Sequence, residues 1–104
     1  MSDQERLLGE VRDPDGRPVV LLARIWDGKI ARDHPELHGQ LEQVLDTVGA
    51  PDHVELDPQP DRRRYYRRKV GPSKWLLVVV SFEQKPGRII TAVALRKDPK
   101  RWKP

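Results

Sequence analysis

The segment DRRRYYRRKV, residues 61–70, concentrates the residue types that bind phosphate and stack on bases. It holds five arginines, one lysine and two adjacent tyrosines. Arginine presents a planar fork of N–H donors to a phosphate, and a tyrosine ring offers a face on which a base can stack. Two interpretations of this segment remain open. It either contacts a polyanion, or it forms a solvated strand whose charges prevent edge-to-edge pairing.

A strand at this position would present two different faces, because successive side chains point to opposite sides of a sheet. One face would carry Arg62, Arg64, Tyr66 and Arg68, and the other Arg63, Tyr65, Arg67 and Lys69. At most three of the five arginines can therefore serve one ligand site, and the two tyrosines are expected to do different jobs.

A histidine at a predicted helix start is the second candidate for chemistry. RDHPELH, residues 32–38, places His34 two positions before Glu36. Histidine titrates near neutral pH and can act as an acid or a base, although a capping or surface histidine is the commoner outcome of this pattern. His34 and His38 are four residues apart and would share a helix face. The spacing is not H-E-x-x-H and no third ligand is evident, so we expect no metal site.

Thr91 is the third candidate, because it interrupts the apolar strand pattern IITAVALR at residues 89–96. Threonine in a strand is ordinarily just a good β-former, but its hydroxyl could also bind a phosphate. The chain contains neither GxGxxG nor GxxxxGK[ST] and has no cysteine, which excludes those nucleotide motifs, a thiol nucleophile, disulfides and thiolate zinc sites. We therefore expect no cofactor.

The net charge of +4 conceals an asymmetry between the two parts of the chain. Residues 1–60 hold 6 Lys+Arg against 13 Asp+Glu, a net charge of −7, whereas residues 61–104 hold 14 against 3, a net charge of +11. A basic region of this kind attracts polyanions by its field and by counterion release. We expect a polyanion as a partner, although a basic surface that serves only solubility is equally compatible with these counts.

No apolar run approaches the roughly 18 residues of a membrane span, and the first residues, MSDQERLLGE, lack the apolar region of a signal peptide. We therefore expect no membrane association and a cytoplasmic location. The domain organisation that we predict is a polar N-terminal segment over residues 1–17, a single α+β domain over residues 18–98 and a polar tail over residues 99–104.

The first apolar segment, RPVVLLARIW at residues 17–26, is rich in β-branched and aliphatic residues and predicts a strand to about Ile25. A helix beginning within residues 21–30 is the alternative. Four residues fall at helical spacing and would support it: Leu22, Ile25, Trp26 and Ile30.

The clearest helix prediction covers about residues 34–48. Asp33 is a candidate N-cap, and Pro35 suits the first helical turn. An apolar stripe at helical spacing follows, formed by Leu37, Leu41, Val44, Leu45 and Val48. The helix is expected to end before Pro51.

The rest of the chain alternates short strand patterns with turn residues. Strands are predicted at residues 53–57, 62–70, 75–83 and 89–96, separated by turns rich in Pro, Gly and Asp. The short connections predict antiparallel hairpins. The fold class that we predict is α+β, with one or two N-terminal helices packed on an antiparallel sheet of about four strands.

The order of these pieces resembles the barnase–EndoU–colicin–RelE-like (BECR) nuclease domains of the phage- and mobile-element-associated type. The pieces are DHPEL at a helix start, then TVGAPDHVE, RYYRR, WLLVVVSF and RIITAVALRK. The resemblance covers about residues 20–98, and the order of the pieces is more specific than any one of them. It departs from the family pattern at Asp33, where a basic residue is common.

The resemblance implies a small, toxin-like endoribonuclease that needs no metal. It implies catalytic roles for His34 as acid or base, for Arg67 on the phosphate, and for Tyr66 and Thr91. Phosphate binding would fall to Arg32, Arg64, Arg68 and Arg96. A toxin would also imply an antitoxin or immunity protein as a partner.

A non-catalytic module that binds nucleic acid or an acidic protein is the alternative. It requires only the basic region and the strand with its tyrosines and arginines. The location of His34 relative to the arginines and Thr91 distinguishes the two hypotheses, because catalysis requires these groups to reach one phosphate.

Overall fold

A computed structural model of the chain describes residues 6–103. Its six strands are β1 (Leu7–Arg12), β2 (Pro18–Leu22), β3 (His53–Leu56), β4 (Arg62–Arg68), β5 (Trp75–Ser81) and β6 (Gly87–Leu95). They form one sheet in the order β1-β2-β6-β5-β4-β3. The strands predicted near residues 53, 62, 75 and 89 are confirmed as β3, β4, β5 and β6.

The predicted fold class is wrong in two respects. The sheet has six strands rather than about four, and it is mixed rather than antiparallel, since β2 runs parallel to β6 with Val19 beside Gly87. The additional strand β1 lies in the polar segment before residue 17 and pairs with β2 across a turn formed by DPDGR, residues 13–17, whose Pro, Gly and Asp residues are typical of turns. Half of the residues of β1 are apolar but none of them is buried, so this edge strand gives no clear strand pattern within the polar segment.

The helices are also shorter than predicted. β2 ends at Leu22, and the chain then forms α1 (Ala23–Ile25), a π-helical turn (Trp26–Ile30) and α2 (Ala31–Asp33). The strand predicted to Ile25 therefore gives way to a helix three residues earlier. The alternative prediction, a helix beginning within residues 21–30, is correct, and Ile25, Trp26 and Ile30 all pack into the same core.

The helix predicted for residues 34–48 is broken in the structure. A 3₁₀ turn at Pro35–Leu37 is followed by the helix α3 (Leu41–Gly49), and Gly39 between them has φ +78°. That left-handed conformation is accessible to glycine but ends a right-handed helix. The apolar stripe survives the break, because Leu37, Val44 and Val48 are all buried.

The sheet has two unlike faces. On the helix face, residues from β2, β4, β5 and β6 form the main core with Ile30, Leu37 and α3. On the opposite face, which we call the open face, a smaller cluster contains Tyr66, Trp75, Leu77 and Val79. Among residues 6–103 this second cluster includes strand residues and Trp102 but no helical residue. None of the helices that the structure describes is long and apolar enough to cross a membrane.

Candidate functional site

Register across the sheet brings polar residues of three strands into one row on the open face, with a valine of β5 between them. Glu55 on β3 pairs with Arg64 on β4, Arg64 pairs with Val79 on β5, and Val79 pairs with Thr91 on β6. Directly paired residues of antiparallel strands share a face. Since strands lie about 4.8 Å apart, the Cα atoms of Arg64 and Thr91 are separated by about 10 Å, which is within reach of one phosphodiester segment.

A second row lies beside the first. His53 pairs with Tyr66, Tyr66 with Leu77, and Leu77 with Val93. Each residue of this row is two positions along its strand from a residue of the first row. His53, Glu55, Arg64 and Tyr66 therefore occupy neighbouring positions on one face, in two strands.

The closest interaction in this group joins a carboxylate and an imidazole. His53 Nε2 and Glu55 Oε1 are 2.9 Å apart, and the two side chains are 17% and 12% exposed. Burial alone raises the pKa of Glu55, but hydrogen bonds from His53 and from the Arg101 backbone N–H outweigh burial and hold that pKa below its usual value. Glu55 is thus an ionised acceptor at neutral pH, and it orients the ring of His53.

A guanidinium and a phenol flank this pair. Arg64 Nε donates to Asp57 Oδ1 at 2.7 Å, which fixes the guanidinium and raises the pKa of Arg64. Burial raises the pKa of Tyr66, and the neighbouring Arg64 counteracts part of that shift. The phenol consequently stays protonated and able to donate a hydrogen bond. The group can supply a base, an acid and a fixed cation to a phosphodiester.

A third row extends the basic surface of the open face. Arg62 pairs with Ser81, and Ser81 pairs with Arg88. Arg62 and Arg88 are partly exposed and lie beside the row of Arg64 and Thr91. Arg62, Arg64 and Arg88 therefore form a basic area on the open face next to the apolar side chain of Val79.

The structure brings together four of the residues predicted from the sequence. Tyr66, Arg64 and Thr91 lie on the open face in the two rows described above. Arg68 lies on the same face beside Trp75, with its guanidinium carbon 5.6 Å from the centre of that ring.

The other four predicted residues lie elsewhere. Arg67 pairs with Leu76 on the helix face, and its guanidinium donates to the carbonyl oxygen of Asp46 at 3.3 Å. Arg32 is exposed and pairs with Asp33 at 3.1 Å. Arg96 is exposed just after β6.

His34 belongs to the helical layer rather than to the open face. It lies between Ile30 and Leu37, which are both buried in the helix-face core. Its Nδ1 is 3.4 Å from Glu36 Oε1. His34 therefore does not lie with Arg64, Tyr66 and Thr91, and the sheet separates the two positions.

Sequence reasoning missed His53 and Glu55. The available signal was HVELD, in which a histidine and a glutamate two residues apart would share one face of a strand. That signal is weak alone, because it becomes a site only when β4 places Arg64 and Tyr66 beside it.

No group of three or more His, Cys, Asp or Glu side chains that could hold a metal ion occurs within residues 6–103. Comparison of the chain with family models, with curated proteins and with solved structures finds no significant match. The resemblance to BECR nucleases therefore stays a prediction.

Proposed function

We propose that this protein is a metal-independent endoribonuclease whose site is the open face of the sheet. The observation that carries the proposal is the position of His53, Glu55, Arg64 and Tyr66 in two adjacent rows of one face. These four side chains supply the groups that RNA cleavage by the substrate's own 2′-hydroxyl requires. A cytoplasmic location would give such an enzyme access to RNA.

In the proposed reaction, Glu55 accepts the proton of the 2′-hydroxyl as that oxygen attacks the adjacent phosphorus. The bond from phosphorus to the 5′-oxygen breaks, and protonated His53 donates a proton to that leaving oxygen. The products are a 2′,3′-cyclic phosphate and a 5′-hydroxyl. Arg64 would stabilise the charge that develops on the phosphoryl oxygens, since a cation fixed before the reaction needs no reorganisation.

This proposal transfers the acid–base role from His34 to His53. The reason is distance, because a general acid must lie within hydrogen-bonding reach of its substrate atom. Tyr66 and Thr91 retain the roles of hydrogen-bond donors to the substrate. Arg67 has no role at this site, since its side chain lies on the helix face.

The test is cleavage of a mixed RNA pool in EDTA by the wild-type protein and by Glu55→Gln, with His34→Ala as the matched control. Glu55→Gln should lower the cleavage rate by about 100-fold or more, the usual contribution of a general base. His34→Ala should stay within about twofold. Absence of cleavage by the wild type, or equal rates for wild type and Glu55→Gln, would contradict the proposal.

A non-catalytic RNA-binding module is the second candidate. It is favoured by the burial of His53 and Glu55 and by the partly exposed arginines around Ser81. Under this hypothesis Glu55→Gln leaves the affinity for RNA unchanged, while Arg62→Ala weakens it. A toxin role, with an antitoxin or immunity protein as partner, would additionally require that expression of the wild type but not of Glu55→Gln inhibits growth.

A further inference from the structure

Residues 98–103, which we call the strap, cross the open face above β5, β4 and β3. At one end, Asp98 Oδ1 accepts a hydrogen bond from Trp75 Nε1 at 2.9 Å and lies 3.0 Å from Lys74 Nζ. Pro99 is buried. At the other end, the backbone N–H of Arg101 donates to Glu55 Oε1 at 3.0 Å. The strap therefore contacts the carboxylate that we assign as the base.

The side chain of Trp102 in the strap occupies a site lined by aromatic rings next to the Glu55 carboxylate. We call this site the seat. Its ring centre is 5.8 Å from the ring of His53 and 5.0 Å from the ring of Trp75, and both ring pairs are nearly perpendicular. The guanidinium carbon of Arg68 lies 5.3 Å from the centre of the indole. The seat is thus formed by Arg68 and by the rings of His53 and Trp75, and Glu55 lies beside it.

The Trp102 end of the strap is held by contacts that a substrate can replace. Asp98 and Lys74 are each about half exposed, and an ion pair at such a surface contributes little because solvent screens it. The strap has no strand or helix of its own and forms no backbone ladder with the sheet. Its other anchors are the hydrogen bond from Trp75 Nε1 to Asp98 and the burial of Pro99 at one end, and the edge-to-face contacts of Trp102 and the N–H bond to Glu55 at the other. The contacts at the Trp102 end lie at positions that an RNA strand would need.

We propose that the seat of Trp102 is a nucleobase-binding site and that the strap occupies it until RNA displaces it. A nucleobase is a flat ring of similar thickness to indole, and arginine planes and aromatic rings are the surfaces on which proteins stack unpaired bases. The adjacent Glu55 would then meet the 2′-hydroxyl of a neighbouring nucleotide. This inference rests on the proposed RNA substrate and names the subsite that receives one of its bases.

The binding assay uses a fluorescent hexamer of 2′-O-methyl RNA, because this probe lacks the 2′-hydroxyl and cannot be cleaved by the proposed reaction. Trp102→Ala should bind it about three- to tenfold more tightly than the wild type, since emptying the seat removes the closed population that lowers apparent affinity. Trp102→Phe keeps a ring in the seat and should bind like the wild type.

Two controls separate loss of the strap from other effects. Asp98→Ala releases the other end of the strap and should also tighten binding. Glu83→Ala removes the same charge from the exposed β5–β6 turn and should produce a smaller gain. A hexamer of identical backbone with abasic nucleotides should show no gain with Trp102→Ala, because it has no base to place in the seat.

Weaker or unchanged binding of the RNA hexamer by Trp102→Ala would overturn the inference, as would equal gains with the abasic probe. Failure of every variant to bind the hexamer would overturn it too. A binding gain in the absence of any RNA cleavage would support the subsite while refuting the nuclease proposal. The two proposals therefore fail by different measurements.

Discussion

Asp13 shows how much one residue contributes to this fold. Its side chain is 1% exposed and accepts hydrogen bonds from Tyr65 Oη at 2.7 Å and from Arg17 Nη2 at 2.8 Å. Backbone N–H groups of Asp15 and Arg17 donate to its other oxygen. This network ties the β1–β2 turn to β4. It also assigns Tyr65 a structural role on the helix face, whereas Tyr66 faces the candidate site.

Asp13→Asn should lower the free energy of unfolding by about 2–3 kcal/mol, because an amide leaves part of a buried charged network unsatisfied. Asp15→Asn is the matched control, since Asp15 is 64% exposed and should change stability by less than about 0.5 kcal/mol. Urea denaturation at pH 7 measures both. Equal effects of the two variants would refute the assigned role of Asp13.

The same network predicts a dependence of stability on pH. Burial alone raises the pKa of Asp13, but hydrogen bonds from Tyr65 and Arg17 outweigh it and lower the pKa below the ordinary value of 3.8. A carboxyl group with a lowered folded-state pKa stabilises the protein above its unfolded-state pKa. The stability difference between wild type and Asp13→Asn should therefore be constant from pH 5 to 7 and shrink as pH falls below about 4. A difference independent of pH would contradict this.

At the scale of elements, the last residue of α3 packs closely against β1. A Cβ atom added to Gly49 would lie 2.8 Å from Val11 Cγ2, a stiff β-branched side chain. The lack of a side chain at Gly49 therefore allows α3 to pack against an edge strand. No strand was predicted in the segment that contains β1, so the sequence did not indicate this contact.

Gly49→Ala should lower the free energy of unfolding by about 1–3 kcal/mol, the usual cost of overpacking. Gly28→Ala is the matched control, because its added Cβ meets no atom within 4 Å and alanine favours helical backbone. Gly28→Ala should be neutral or stabilising in the same thermal or urea denaturation. A stabilised Gly49→Ala protein would show that the contact with Val11 is not constraining.

At the scale of the whole molecule, the basic residues of β4 are divided between two surfaces. Arg62 lies on the open face beside Ser81, whereas Arg67 lies on the helix face near the end of α3. The net charge of +11 over residues 61–104 therefore overstates the charge available to one ligand. The number of charges alone does not indicate which of these arginines can contact the ligand.

RNA binding should weaken with salt, with a log–log slope of about −0.7 for each phosphate neutralised. Arg62→Ala should reduce the magnitude of that slope by about 0.7, while Arg67→Ala should leave it unchanged. Titration of a 2′-O-methyl RNA hexamer at several salt concentrations measures both variants. Equal changes in slope would show that the ligand does not distinguish the two faces of the sheet.

The local features of this protein follow from its sequence. The strand patterns, the DPDGR turn and the division of β4 into two faces are visible in the residue order, because turn residues and side-chain alternation act over a few positions. The apolar stripe from Leu37 to Val48 is also visible. The π-helical turn and the break at Gly39 are not, since packing against the sheet decides where a short helix bends or ends.

Only the tertiary structure decided which side chains share a site. The parallel pairing of β2 with β6, the row from Glu55 to Thr91 and the position of Trp102 on His53 all join residues far apart in the chain. His34 and Arg67 were predicted from residue type and order, and they lie away from the open face because the sheet separates them from it. Residue type and spacing indicate what a side chain can do, but strand register and the covering of each sheet face determine which groups meet.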